Sequence, residues 1–101
     1  MSIENWRTSL AELFGGYVKH DTLEAAAESM VFVSADSDRH HDQFLMLLEE
    51  GTRAAHAGDD SVLSCINRSA YQVTTAAAAA SLLDNLRQIY LKEYERSGSG
   101  V

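Results

Sequence analysis

The sequence predicts an all-α protein: a small four-helix bundle-like domain with a long C-terminal helix. Three observations support this fold class. The 101 residues include no proline, so no residue of that kind interrupts a helix. Residues 38–57 repeat apolar side chains at helical spacing over about five turns. Near the C-terminus, five consecutive alanines, which favour helix strongly, precede a second apolar pattern.

The first two helices are expected on either side of Gly15–Gly16. Ser2 is a favoured N-cap residue for the first helix, and the two glycines are expected to end it. The second helix is expected to begin at Asp21, which resembles a capping box with Glu24, and to fray near residues 31–33. The apolar positions expected to face the core are Trp6, Leu10, Leu13 and Phe14 in the first helix, and Leu23, Ala26, Ala27 and Met30 in the second.

The third helix, residues 38–57, is expected to be strongly amphipathic. Its apolar side carries Phe44, Leu45, Leu47, Leu48 and Ala55, with His40 and His41 nearby. Its opposite side is acidic, and Met46 projects from the middle of that side, where it has no core to fill. This acidic face is either a solvated helix surface or a docking strip for a cationic partner. The docking residues in the second interpretation are Asp38, Asp42, Met46, Glu49 and Glu50.

The last segment, from Asp60 to Ser97, contains no glycine and is expected to form one long helix after a stop at Gly58. Its apolar face turns by roughly 140° at the alanine run, residues 76–80. Because alanine provides no mechanism for a kink, we expect a straight helix whose two halves pack against different surfaces. The second half presents a stripe of large side chains: Leu82, Leu83, Leu86, Ile89, Tyr90 and Tyr94.

This second stripe needs a cover, because six large side chains left in water would forgo on the order of 10 kcal/mol. One possible cover is the first two helices of the same chain, with Trp6, Leu10, Leu13 and Phe14 folding back onto Leu82, Leu86 and Ile89 to close a four-helix bundle. The alternatives are a second copy of the chain or a different protein. Residues 1–97 are therefore expected to form a single helical domain, and residues 98–101 a flexible tail.

The charge balance points to a protein partner. Fifteen acidic and eight basic side chains give a net charge of -7, which repels a phosphate backbone and disfavours nucleic-acid binding. A basic protein surface is the better electrostatic match. The single cysteine, Cys65, excludes an internal disulfide and a cysteine-rich zinc site.

The lengths of the apolar stretches and the N-terminal sequence bear on localisation. No stretch reaches the ~18 apolar residues of a membrane span, and the N-terminus carries no secretory signal pattern. We therefore expect a cytoplasmic protein that does not bind membranes. Export without a signal peptide would leave the same sequence pattern.

Two motifs resemble sites of known families. The pairs His20-Asp21 and His41-Asp42, with Asp84 as a last ligand, resemble the pattern of HD-type phosphohydrolases, which are helical and metal-dependent. The adjacent histidines His40 and His41 would point about 100° apart on a helix, however, and no His-x3-His or Glu-x2-His spacing places two ligands on one helix face. Residues 58–63, Gly-Asp-Asp-Ser-Val-Leu, resemble the acyl carrier protein segment whose serine, here Ser61, would carry a phosphopantetheine arm.

Catalysis is not expected, because there is no nucleophile elbow or phosphate-binding glycine loop, and Cys65 lies on the apolar side of its helix. No cofactor or metal is expected. The most concrete hypothesis is a non-enzymatic protein of the inhibitor or immunity type, or a chaperone-like partner, that binds a larger protein with a basic surface. The alternatives are a self-associating structural subunit, such as a homodimer, and the HD-type hydrolase. The expected partner-binding residues are Asp38, Asp42, Met46, Glu49, Glu50, Leu82, Leu86, Ile89, Tyr90 and Tyr94.

Overall fold

The computed structural model describes residues 6–19, 22–35, 38–69 and 71–96. This part of the chain is helical and contains no strand, so the all-α fold is confirmed. The expected cap at Ser2, the expected start at Asp21 and the tail at 98–101 lie outside the described residues. The elements are α1 (Trp6–Leu13), a π-helical turn (Phe14–Val18), α2 (Leu23–Ser34), α3 (Asp38–His56), α4 (Ser61–Ile66) and α5 (Ala76–Tyr94).

Helix α5 lies at the centre of the packing. It contacts α3 and α2 extensively, whereas α1 packs mainly against α4 and α3. Leu83, Leu86 and Tyr90 of α5 are fully buried in the resulting core. In the described part of the chain, α5 is therefore covered mainly by α2 and α3, which also contact each other.

The first helix does not end at its glycines. The chain continues past Gly15–Gly16 as a π-helical turn, closed by a 2.8 Å hydrogen bond from the Lys19 N–H to the Phe14 carbonyl. Phe14 and Val18 are both fully buried. Burial of these two side chains holds the turn helical, so the expectation of a stop at the glycines is wrong.

The second helix also runs further than expected. Thr22 is its N-cap, and the Thr22 hydroxyl accepts a 3.1 Å hydrogen bond from the Ala25 N–H. The helix does not fray at residues 31–33 but continues to Ser34. Val31 is buried and the Ser34 hydroxyl donates to the Met30 carbonyl at 2.9 Å, so packing stabilises the final turn despite its β-branched residues.

The prediction of one straight helix from Asp60 to Ser97 is wrong. Helix α4 ends at Ile66 and α5 begins at Ala76. In the connecting loop the Asn67 side chain binds both polar backbone groups of Val73: its Oδ1 accepts from the N–H at 2.8 Å, and its Nδ2 donates to the carbonyl at 3.2 Å. The Ser69 hydroxyl accepts from the Tyr71 N–H at 3.1 Å. These side chains satisfy backbone groups that a continuous helix would have paired, and so stabilise the break.

The break explains the rotated apolar face. The alanine run is the first turn of α5, and Thr75 caps it by accepting a 3.1 Å hydrogen bond from the Ala78 N–H. The two apolar faces therefore belong to two separate helices rather than to two halves of one rod. The second stripe is covered within the chain, chiefly by α2 and α3, so of the first two helices it is α2 rather than α1 that provides most of the cover.

The junction of α3 and α4 ties the N-terminal helix to the rest of the chain. Gly58 takes a φ of 84°, which ends α3 as expected. Asp59 lies just before Asp60, the N-cap residue of α4, and its Oδ1 accepts from the N–H and the hydroxyl of Ser61 at 3.0 and 2.7 Å. The Arg7 guanidinium donates to the Asp59 carboxylate at 2.5 Å and to the Ser61 hydroxyl at 2.7 Å. The hydrogen bond from the Ser61 hydroxyl, followed by that from Arg7, lowers the pKa of Asp59 to about 2.

Replacing Ser61 by alanine is expected to raise the pKa of Asp59 from about 2 toward its ordinary value of 3.8. Because the native pKa lies below the ordinary one, ionised Asp59 stabilises the fold above about pH 4, and this stabilisation is lost as the pH falls through about 2. A carbon-13 NMR titration of the Asp59 carboxyl measures the shift. Ser64→Ala, at an exposed serine of the same helix, is the control and should leave the titration unchanged. An Asp59 midpoint near 4 in the unaltered protein would contradict this account.

Candidate protein-binding surface

The acidic residues predicted on α3 lie at the surface. Asp38, Asp42 and Glu49 are exposed, and Met46 and Glu50 are half-buried. Met46 lines a shallow surface depression together with Arg39, Asp42 and Gln43. We call this depression and its N-terminal neighbour Asp38 the α3 outer face.

The carboxylates differ in how far the chain itself neutralises them. Glu49 faces Arg87 of α5 at 3.7 Å, and Glu50 pairs with Arg53 one turn later at 2.7 Å. Asp38 and Asp42 form no ion pair with any residue that the structure describes. Among the acidic residues of α3, those without an ion pair therefore lie in its N-terminal half, on either side of Arg39. Asp38 also lies in the first turn of α3, where a negatively charged carboxylate interacts favourably with the helix dipole.

The predicted stripe on α5 is not a free surface. Leu86 and Tyr90 are fully buried within the chain, so the expectation that these two side chains contact an external partner does not hold. Leu82, Ile89 and Tyr94 are half-buried and pack against the same core. The α2 and α3 pair supplies the cover that the stripe requires.

A hydrogen-bonded chain fixes Tyr90 in this core. Its hydroxyl lies 2.8 Å from the Ser34 hydroxyl of α2 and 2.7 Å from His41 Nδ1 of α3. Because the Ser34 proton is donated to the Met30 carbonyl, Tyr90 donates to Ser34, and His41 Nδ1 therefore carries a proton that it donates to Tyr90. Burial raises the pKa of Tyr90 above 10.0, so its hydroxyl stays protonated at neutral pH.

His41 therefore serves the packing of the bundle. Its ring stacks on Tyr94 with centroids 3.9 Å apart and an interplanar angle of 16°. In the HD-like pattern, His20 and Asp21 lie outside the described residues, and Asp84 accepts a 2.7 Å hydrogen bond from Gln88. The described ranges contain no group of three or more His, Cys, Asp or Glu side chains placed to hold a metal ion.

Ser61 and Cys65 are both engaged by α1. The Ser61 hydroxyl donates to Asp59 and accepts from Arg7, which occupies the oxygen that an acyl carrier would use for its arm. The Cys65 thiol donates to the Arg7 carbonyl at 3.3 Å. Burial raises the pKa of Cys65, and a protonated thiol is a poor nucleophile.

Sequence reasoning missed one surface residue. Phe32 lies within residues 31–33, where the second helix was expected to fray, and its side chain is 79% exposed. It is the one large hydrophobic side chain that is exposed in the described part of the chain. Helical spacing explains this exposure. Positions two apart on a helix point to nearly opposite sides, and Met30 and Ser34, the residues two before and two after Phe32, are both buried.

None of the described helices combines the length and the apolar character that crossing a membrane requires. Comparison with protein-family models, with curated proteins and with solved structures finds no significant match for this chain. The functional argument therefore depends on the surface itself.

Proposed function

We propose that this chain is a non-enzymatic protein that binds a larger protein with a basic surface, as an inhibitor, an immunity-type protein or a chaperone-like partner. The observation that carries the proposal is the α3 outer face. There Asp38 and Asp42 lack an ion pair within the described chain, and Asp42 borders a depression beside the adaptable side chain of Met46.

Charge complementarity supports the nature of the partner. Residues 22–56, which include α2 and α3, carry seven acidic and two basic side chains, a net charge of -5. Residues 61–101 carry three acidic and four basic side chains. Such a one-sided field attracts a cationic protein and accelerates its association.

The self-associating alternative depended on an open Leu82–Tyr94 stripe, whose Leu86 and Tyr90 are buried inside the chain. In the HD-type alternative, His20 and Asp21 lie outside the described residues, and His41 is already hydrogen-bonded to Tyr90 and stacked on Tyr94 within the chain. We therefore retain protein binding as the one proposed function.

The paired substitution Asp38→Asn with Asp42→Asn is expected to weaken binding of the natural partner about tenfold, because each exposed charge contributes up to about 1 kcal/mol. The affinity of the double variant should also vary less with salt concentration, since two screened attractions are absent. The partner is first isolated from the source cells on the immobilised protein, identified by mass spectrometry, and then measured by calorimetry at two salt concentrations.

The matched control is Asp60→Asn with Asp84→Asn, which removes the same number of charges at positions outside the α3 outer face. It should retain most of the affinity, and circular dichroism should show native helix content in both double variants. An identified partner that binds the Asp38/Asp42 variant as tightly as the unaltered protein would overturn the proposal. So would a failure of the unaltered protein to retain any protein selectively.

A further inference from the structure

The outer side of α2 carries an aromatic ring that the fold does not use. Phe32 is 79% exposed and lies opposite the buried Met30 and Ser34. Burying such a side chain yields roughly 1.5–3 kcal/mol. A single exposed apolar residue is common on protein surfaces and by itself indicates nothing. The carboxylate of Glu28, on the same side of α2, is the second observation.

Glu28 lies one turn before Phe32 on the same side of α2, at the spacing that brings side chains to within about 5–6 Å at Cβ. It is exposed and forms no ion pair with any residue of the described ranges. Helix α2 contains Glu24 and Glu28 but neither lysine nor arginine. The ring of Phe32 therefore borders a carboxylate that the helix itself does not neutralise.

The nearest cations of the chain lie across a groove. Glu24 and Glu28 form its α2 wall, and Lys92 and Arg96 lie on its α5 side. Arg96 is held by a hydrogen-bonded ion pair with Glu93 on its own helix. Glu28 therefore shares this groove with Lys92 and Arg96 but forms no ion pair with either of them within 4 Å.

We propose that Phe32 and Glu28 together bind an arginine side chain of the partner; this inference rests on the proposed function above. A guanidinium stacks on an aromatic face while its N–H groups pair with a carboxylate, so one arginine satisfies both residues. Lysine is a strongly hydrated point charge and matches the flat ring less well.

The same charges disfavour a second copy of the chain as the occupant. A two-fold interface centred on Phe32 would bring together two α2 helices that each carry Glu24 and Glu28 and neither lysine nor arginine. Like charges in close contact oppose such an interface. The observations therefore favour an arginine-bearing segment of a different protein.

The test is a nitrogen-15 NMR titration of the full chain with two probes, acetylated hexa-arginine amide and acetylated hexa-lysine amide, at equal ionic strength. We expect hexa-arginine to bind about three- to fivefold more tightly than hexa-lysine and to shift the signals of Phe32 and Glu28 most. Phe32→Leu, which keeps apolar bulk without the ring, should abolish the preference for arginine while leaving the hexa-lysine affinity unchanged. Because Phe32 is exposed, this variant should remain folded.

Two outcomes would overturn the inference: equal affinities for the two peptides, or a preference for arginine that persists in Phe32→Leu. Neither outcome touches the proposed function, which is judged by the effect of Asp38→Asn with Asp42→Asn on the natural partner. Glu28→Gln should reduce the preference for arginine as well, since the guanidinium then loses its carboxylate. If neither peptide binds the unaltered protein at low salt, the arginine site is also refuted.

Discussion

Leu86→Asp is expected to unfold the protein rather than to separate a dimer. Leu86 is fully buried in the core that α5 forms with α2 and α3. An ionised carboxylate at that position has no partner and loses its hydration, a cost that rivals the roughly 5–15 kcal/mol that stabilises a small domain. The milder change Leu86→Ala should lower the free energy of unfolding by about 2–5 kcal/mol.

Circular dichroism and urea denaturation measure both Leu86 effects. The control is Asn85→Asp, which adds the same charge at the exposed neighbouring position and should leave the free energy of unfolding nearly unchanged. Light scattering on the same samples distinguishes the alternative. A Leu86→Asp protein that is folded and monomeric, beside an unaltered protein that is dimeric, would contradict the buried position of Leu86 and restore the self-association hypothesis.

Tyr90→Phe is expected to lower the free energy of unfolding by about 1–3 kcal/mol. The substitution keeps the ring but removes the hydroxyl that accepts from His41 and donates to Ser34. The buried hydroxyl of Ser34 and the half-buried ring of His41 then each lose a hydrogen-bond partner. Leaving a buried polar group unpaired costs more free energy than an average hydrogen bond contributes to stability. The measurement is urea denaturation near pH 7.

A double-mutant cycle with Ser34→Ala separates the hydrogen bond from other effects. When both hydroxyls are absent, the loss should be smaller than the sum of the two single losses, because neither side of that bond is left unpaired. Strictly additive losses would show that the Tyr90 and Ser34 hydroxyls do not interact. Ser29→Ala, at an exposed position of α2, is the surface control and should have little effect.

The same tyrosine gives a dependence on alkaline pH. Burial raises the pKa of Tyr90 above its ordinary 10.0, so its contribution to stability is complete below pH 10 and is lost as the pH rises through the native pKa. The free energy of unfolding should therefore fall more steeply above pH 10 in the unaltered protein than in Tyr90→Phe. Equal slopes in the two proteins would contradict the burial of the hydroxyl.

Local sequence determined most of the helices. The apolar spacing of residues 38–57 predicted α3 within one residue, and Gly58 ends it because glycine tolerates the positive φ found there. The acidic side of α3 was also readable, because charges on a solvated helix face follow the helical period directly. That Asp38 and Asp42 lack an ion pair could be learned only from the positions of the surrounding basic side chains in the structure.

Long-range packing decided the rest. The break after Ile66 depends on Asn67 reaching Val73 across the loop, a pairing that helical periodicity does not report. Whether the apolar stripe of α5 is exposed or buried depended on which helices pack over it. Helices α2 and α3 do so, and Leu86 and Tyr90 are buried. The sequence alone determined that the chain is helical, where α3 lies and which of its faces are apolar or acidic, because these follow from neighbouring residues. Only the tertiary structure decided which apolar faces are covered and which ring, Phe32, remains in water, because burial depends on contacts between residues far apart in the chain.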